Sequence, residues 1–276
     1  MSSWAFRLVA SAILTLMLSS CSQSQRVDTV NAAELKSQLQ ALAGARILLG
    51  HQSVGRDILA GLESLAREAD VPLRVLEIEG VPPDDGPGVF HSNVGKNGDP
   101  NSKCEVFAHL LHRPERPAYD LAAMKFCYVD LTDDSSFGAE QLLDRYSSLV
   151  QQARALRPDV RIVHVTLPLR SDPLEWKTPI KRVLGRSTYE DSANAFRNAY
   201  NDLLRERFAG EPILDVAAIE STRTDGSRSS FSESGKTIYT LDSGYTYDGG
   251  HLNEQGQRKV AAEFVRVFAQ ALPRGE

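Results

Sequence analysis

Residues 46–65 read RILLGHQSVGRDILAGLESL. A short apolar run, Arg46 to Leu49, stops at a turn of glycine and polar residues, Gly50-His51-Gln52-Ser53-Val54-Gly55. Beyond the turn, Ile58, Leu59, Leu62 and Leu65 recur at i, i+1, i+4 and i+7, which draws one apolar face on a helix. Strand, turn and helix in this order form the repeating unit of a parallel sheet wrapped by helices. The rest of the chain repeats it. Further strands are predicted at Leu73 to Ile78, Met124 to Val129, Arg161 to Thr166 and Ile213 to Val216. Further helices are predicted on Leu142, Leu143, Tyr146, Leu149, Val150 and Ala153, on Phe196, Tyr200, Leu203, Leu204 and Phe208, and from Asn253 to Leu272. The expected fold is α/β, with a five-stranded, mainly parallel sheet in a single domain over 32–276.

Two stretches break the rhythm. Residues 80–103 and 220–250 are dense in Gly, Pro, Asp, Asn and Ser. Long loops inside compact domains are usually either functional or disordered. Each of these ends beside residues with chemical potential, which favours the functional reading. Composition narrows the function classes. With 31 basic and 36 acidic residues in 276, the formal charge is -5, which excludes a polybasic nucleic-acid binder. At 42 % apolar and 24 % charged, the chain has an ordinary globular composition and enough apolar mass for a core.

The N-terminus sets the expected compartment. Residues 1–20 carry Arg7, an apolar run from Leu8 to Leu18 and then small residues, the pattern of a secretory signal. The run is shorter than the roughly 20 residues that span a bilayer. Leu18-Ser19-Ser20-Cys21 resembles the lipobox of bacterial lipoproteins. The resemblance implies lipidation of Cys21, a polar tether over 21–31, and a chain held by its lipid anchor in the bacterial envelope. Ser22 after the cysteine points to the periplasmic face of the outer membrane. Cys104 and Cys127 are open to two readings, an oxidised pair in an exported protein or, for Cys127, a small core residue.

In open parallel sheets ligands bind beyond the carboxyl ends of the strands, so the residues after each strand are the informative ones. Ser53 lies at such a strand-to-helix turn, where backbone N–H groups point at an incoming anion; it reads as a nucleophile or as a helix N-cap. Near the other end, Asp248-Gly249-Gly250-His251-Leu252-Asn253-Glu254-Gln255-Gly256 leads into the last helix. A serine hydroxyl needs a base, imidazole suits that work, and a carboxylate fixes its orientation. Asp248 and His251 have the spacing for such a pair; the alternative is a glycine-rich turn with His251 on the surface.

The serine turn together with D-x-x-H before the last helix resembles the SGNH/GDSL hydrolase superfamily. The likeness extends over about residues 44 to 272. It implies a flavodoxin-like three-layer α/β/α fold and ester hydrolysis through an acyl-enzyme, with Ser53 as nucleophile, His251 as general base and Asp248 as its orienting acid. An acyl group on carbohydrate is the implied substrate class, and no cofactor or metal is called for. By motif position the oxyanion hole falls to Ser53, to Gly95 with Gly98 as the alternative, and to Asp130.

The first block departs from G-D-S, since Gly50-His51-Gln52-Ser53 carries one extra residue and no aspartate. In the third block Asp130 stands where the family places an asparagine, and an ionised carboxylate would repel a developing oxyanion. Three answers are open: Asp130 held protonated beside Asp133 or Asp134, an amide from Asn93 or Asn97, or a defective hole in a domain that binds a glycan or peptide without cleaving it. Transfer of the acyl group to another alcohol is a further option. His51, Asn93, Asn97 and Trp176 are candidate substrate contacts, His51 also for orienting the Ser53 turn. His164 reads as a buried, hydrogen-bonded core histidine, and Arg56 with Asp57 as a local charge pair or cap.

Overall fold

The computed structural model describes residues 32–79, 86–112, 118–132, 134–171 and 189–273. The signal, Cys21, the tether and Trp176 lie outside the described residues. The central sheet has five strands, all parallel, in the order β2-β3-β1-β4-β5. They are β1 Arg46–His51, β2 Val75–Glu77, β3 Gly88–Asn93, β4 Leu121–Met124 and β5 Arg161–Ile162. β1 lies in the middle, and all its residues but the first are buried, because helices cover both sides of it.

Beyond β5 the chain continues as β6 (His164–Val165), which pairs in parallel with β7 (Ile213–Leu214). Val163 N–H donates to Ala122 and His164 N–H to Pro212, both at 2.9 Å, so one extended segment serves two neighbours in turn. Helices α1 (32–43), α2 (Ser53–Glu68), α3 (Pro100–Leu111), α4 (Ala139–Leu156), α5 (Tyr189–Arg207), α6 (Val216–Ser221) and α7 (Glu254–Ala271) complete the α/β/α sandwich.

Three sequence expectations are corrected. The strand expected at Met124 to Val129 lies earlier, at Leu121–Met124, and Tyr128–Asp130 form a 3-10 turn. The apolar run continues past the strand because the loop after it is also buried. Residues 88–93, expected within a long loop, form β3; their buried pattern is nearly continuous, and the surrounding Gly and Pro hide it in sequence. Residues 220–250 hold an antiparallel hairpin of β8 (Ser230–Glu233) and β9 (Lys236–Tyr239). Its turn residues, Ser234 and Gly235, both have positive φ, as a two-residue hairpin loop requires.

Register sets the functional rim. Gly50 of β1 is level with Ser92 of β3 and Met124 of β4, so the segments following these strands leave the sheet along one edge. α2 and α7 pack closely because Gly61 has no side chain: a Cβ there would collide with the Gln257 carbonyl and Ala261. This close crossing brings the start of α2 beside the loop that precedes α7.

Candidate active site

The turn after β1 is held from two directions. Gln52 occupies the cap position of α2, but its side chain does not cap; Nε2 donates instead to the carbonyls of Val94 (2.8 Å) and Gly95 (3.0 Å). Ser53 is the first helical residue, half-buried, so the cap reading of its hydroxyl does not apply. The first N–H groups of a helix lack intrahelical acceptors and carry the positive end of its dipole.

Beneath the turn, fully buried His51 uses Nδ1 on the Gln52 carbonyl (2.8 Å) and Nε2 on His91 Nδ1 (3.0 Å). Since a carbonyl only accepts, His51 Nδ1 carries the proton, Nε2 is the acceptor, and His91 Nδ1 donates to it. Burial holds His51 down at about 4, with the bond to Gln52 opposing, so the ring is neutral at physiological pH. His51 therefore orients the turn and does not reach solvent as a substrate contact.

The second half of the site is the Asp248–Leu252 loop. Asp248 Oδ1 accepts the N–H groups of Gly250 (2.9 Å) and His251 (2.8 Å), and Oδ2 accepts His251 Nδ1 at 2.6 Å. Burial opposes ionisation of Asp248, but the ring and backbone N–H bonds outweigh it and hold the carboxyl at about 2. Both glycines of the motif have steric reasons. Gly249 has φ +86°, and a Cβ there would sit 2.9 Å from Ser171 Oγ; at Gly250 a Cβ would sit 2.9 Å from the Tyr128 hydroxyl. With Nδ1 committed to Asp248, His251 has Nε2 left for proton transfer.

The two halves meet through α2. Asp57, one turn beyond Ser53, accepts the Leu252 N–H at 3.0 Å, and Gly61, a turn further, lies against Gln257. Ser53, Asp57 and Gly61 form one i, i+4 row, which puts Ser53 on the face of α2 that packs towards the His251 loop. Tyr128 packs edge-on to the His251 ring (centroids 6.1 Å apart), and exposed Tyr247 stacks along it (6.0 Å).

Asp130 has a different place from the one its motif position implies. Its carboxylate is buried and forms an ion pair with buried Lys103 (2.5 Å); it also accepts the N–H groups of Cys127 (2.7 Å) and Gly98 (2.8 Å). Its partners among the described residues are all donors, so Asp130 is engaged as an acceptor and not as a donor to an oxyanion. It anchors the Gly95–Gly98 loop from below. Lys103 also donates to Asn97 Oδ1 (2.9 Å), which turns the other end of that exposed amide, the Nδ2 donor, away from the ammonium. Asn93 is drawn off towards β2, where its Nδ2 donates to Glu77 (3.0 Å). Gly95 has φ +55°, and a Cβ would collide with Lys103 N and Ser102 Oγ. Cys104 and Cys127 are buried free thiols.

Sequence reasoning passed over Lys103, Tyr128 and Asp57. Lys103 sits in a helix whose polar residues look solvated, and only the fold reveals it as buried. Asp57 carried a visible signal, its i+4 spacing from Ser53, but the adjacent Arg56 suggested a local pair; Arg56 binds Glu77 instead (3.0 Å). Among the described residues no group of three acidic, histidine or cysteine side chains is placed to hold a metal ion. A cavity of about 750 Å³ beside α1 and α7, lined by Leu35, Leu65, Ile219 and Arg266 among others, shares no residue with this rim.

No protein-family description matches the chain, and no curated protein matches it. Solved structures do. An acetyl esterase crystallised with acetate ion is similar at 14 % identity over 82 % of this chain and 97 % of its own, with a TM-score of 0.46. A carbohydrate acetylesterase family member from Sinorhizobium meliloti is similar at 15 % identity over 82 % and 99 %, TM-score 0.45. The periplasmic domain of a lipopolysaccharide acetyltransferase from Salmonella ser. Paratyphi A is similar at 10 % identity over 82 % and 85 %, TM-score 0.44. Likeness at this level assigns no activity; the site geometry has to.

Proposed function

We propose that the chain is a serine-dependent acyl-ester hydrolase acting through an acyl-enzyme, with Ser53 as nucleophile, His251 as general base and Asp248 as the group that fixes the imidazole. The observation that carries this reading is the 2.6 Å bond from His251 Nδ1 to Asp248, in the loop that Asp57 ties to the helix bearing Ser53. It fixes the tautomer and leaves Nε2 as the basic atom. In the first step Ser53 Oγ bonds to the acyl carbon while Nε2 takes the hydroxyl proton. The tetrahedral adduct then collapses, the C–O bond to the alcohol breaks, and the imidazolium returns the proton to the leaving oxygen. Water repeats the sequence to release the acid; an alcohol in its place would give acyl transfer.

The developing oxyanion meets the Ser53 N–H at the positive end of α2, the Gly95 N–H and the Asn97 amide. Asn97 supplies the neutral donor that Asp130 cannot. The substrate we favour is an O-acylated carbohydrate, reached by a protein anchored through a lipid on Cys21 at the periplasmic face of the outer membrane. An open rim with an exposed tyrosine beside the base suits a glycan chain better than a buried acyl tail. The test is hydrolysis of p-nitrophenyl acetate by the purified protein, with Ser53→Ala as control. Turnover is expected to fall by roughly 10⁴-fold or more with the fold intact. Equal activity in the variant removes Ser53 from the mechanism. Saturable glycan binding without fluorophosphonate labelling of Ser53 replaces the enzyme with a binding protein.

A further inference from the structure

The His251 loop is gripped by two carboxylates, one from its own turn and one from α2. Asp57 is half-buried, and its Oδ2 bond to the Leu252 N–H joins residues 195 positions apart, with Leu252 itself fully buried. The neighbouring arginine does not neutralise it, since Arg56 is turned to Glu77 on β2. The charges that act on Asp57 come from the site: His251 and buried Lys125 favour its ionised form, Asp248 disfavours it, and burial raises its pKa overall. Lys125 Nζ is itself committed to the Phe126 carbonyl (3.0 Å).

We propose that Asp57 is a positioning residue for His251. It pins the peptide that follows the imidazole and supplies a second negative charge to the imidazolium that forms as Ser53 loses its proton. The inference rests on the hydrolase reading above and adds a residue to it. The division of labour follows from geometry. Asp248 sits in the same turn as His251 and fixes the ring, but it moves with that turn. Asp57 belongs to the helix that carries Ser53, so its bond to Leu252 fixes the distance between nucleophile and base across two separate elements. A rigid tie of this kind matters because small misplacements of reacting groups are costly in rate.

Among the described residues, four side chains surround the ring. Asp248 and Tyr247 come from its own loop, Asp57 from α2, and Tyr128 from the turn after β4. Arg170 lies over the Tyr128 ring at 5.0 Å, with its guanidinium beside Gly249 of the same loop. Among these, Asp57 and Asp248 are the two carboxylates.

The experiment uses Asp57→Asn, which keeps an oxygen for the Leu252 N–H and removes the charge, in the full-length protein. Two quantities are read: the NMR titration of the His251 ring proton, identified by its loss in His251→Gln, and the pH profile of p-nitrophenyl acetate hydrolysis. The ring titration and the acid limb of kcat/KM are both expected to move to lower pH, by about one pH unit or less, with kcat reduced roughly 3- to 10-fold. A ring titration unchanged in Asp57→Asn overturns the proposal, whatever happens to the rate. If the ring titration moves but the native protein hydrolyses no ester, the coupling of Asp57 to His251 stands and the hydrolase reading falls. Asp57→Ala, which loses the acceptor as well, is expected to lower kcat further than Asp57→Asn; equal rates in the two would remove the tie between α2 and the loop.

Discussion

Two aspartates of this protein each hold a cationic or basic partner at nearly the same distance and do opposite work. Asp130 meets Lys103 at 2.5 Å with both side chains fully buried. Asp248 meets His251 at 2.6 Å with the two side chains 42 % and 26 % exposed. The buried pair has its oxygens committed to Lys103 and to two backbone N–H groups, so neither partner is available to a ligand. Taking ions out of water is expensive, and such a pair persists only when its hydrogen bonds are complete. The exposed pair leaves one imidazole nitrogen uncommitted at the surface. The same residue chemistry thus gives a fastening in one place and an imidazole with a ring nitrogen to spare in the other, and the difference lies in burial and in the number of donors already engaged.

The comparison can be broken from either side. The largest effect is expected on rate, at the exposed pair. Asp248→Asn should lower kcat by about 10³- to 10⁴-fold, by releasing the ring tautomer, while leaving the urea midpoint nearly unchanged. A large loss of stability instead would make Asp248 a structural turn residue.

At the buried pair the balance reverses. Lys103→Met strands the Asp130 carboxylate and should cost about 3–5 kcal/mol in urea unfolding, whereas Lys103→Met with Asp130→Leu should cost clearly less. If the double variant is as unstable as the single one, the charge is not what the site is built around.

The smallest effect concerns the neutral histidine between the two regions. His51 is held at about 4 against an ordinary 6.5 by burial, opposed by its bond to Gln52. The unfolded chain therefore takes up this proton first as pH falls. Stability is complete above about 6.5 and erodes towards pH 4, by about 3 kcal/mol in all. Urea unfolding at pH 7, 5 and 4 reads it directly, and His51→Gln should flatten the slope; an equal slope in that variant would assign the acid sensitivity elsewhere. His91 and His164, also lowered chiefly by burial, act in the same sense and set the residual slope.

Much of this is legible in the sequence alone. The periodicity of Ile58, Leu59, Leu62 and Leu65 marks α2, and the apolar runs mark β1 and the Arg161–Thr166 segment. His164 is buried as read, bonded to Tyr146 and Glu211 at 3.0 Å each. β3 was not legible. Its buried residues give no alternation, and glycine and proline on its flanks resemble a loop. The hairpin β8–β9 was missed for a related reason: its strands are four residues each and largely polar, and α5 fixes one of them through Asn198, which bonds the Tyr239 backbone on both sides.

The sequence by itself determined the local units: a strand ending in His51-Gln52-Ser53, a helix with one apolar face, and a D-G-G-H turn whose hydrogen bonds close within four residues. Local periodicity and short-range hydrogen bonding need no knowledge of distant chain. Only the tertiary structure decided that one carboxylate would be a buried fastening and that another would tie two distant segments together. That choice depends on burial and on partners 27 and 195 residues away, Lys103 for Asp130 and Leu252 for Asp57. Desolvation and through-space pairing act between neighbours in space, and the packing of α2 on α7 at Gly61 creates the neighbours at the rim.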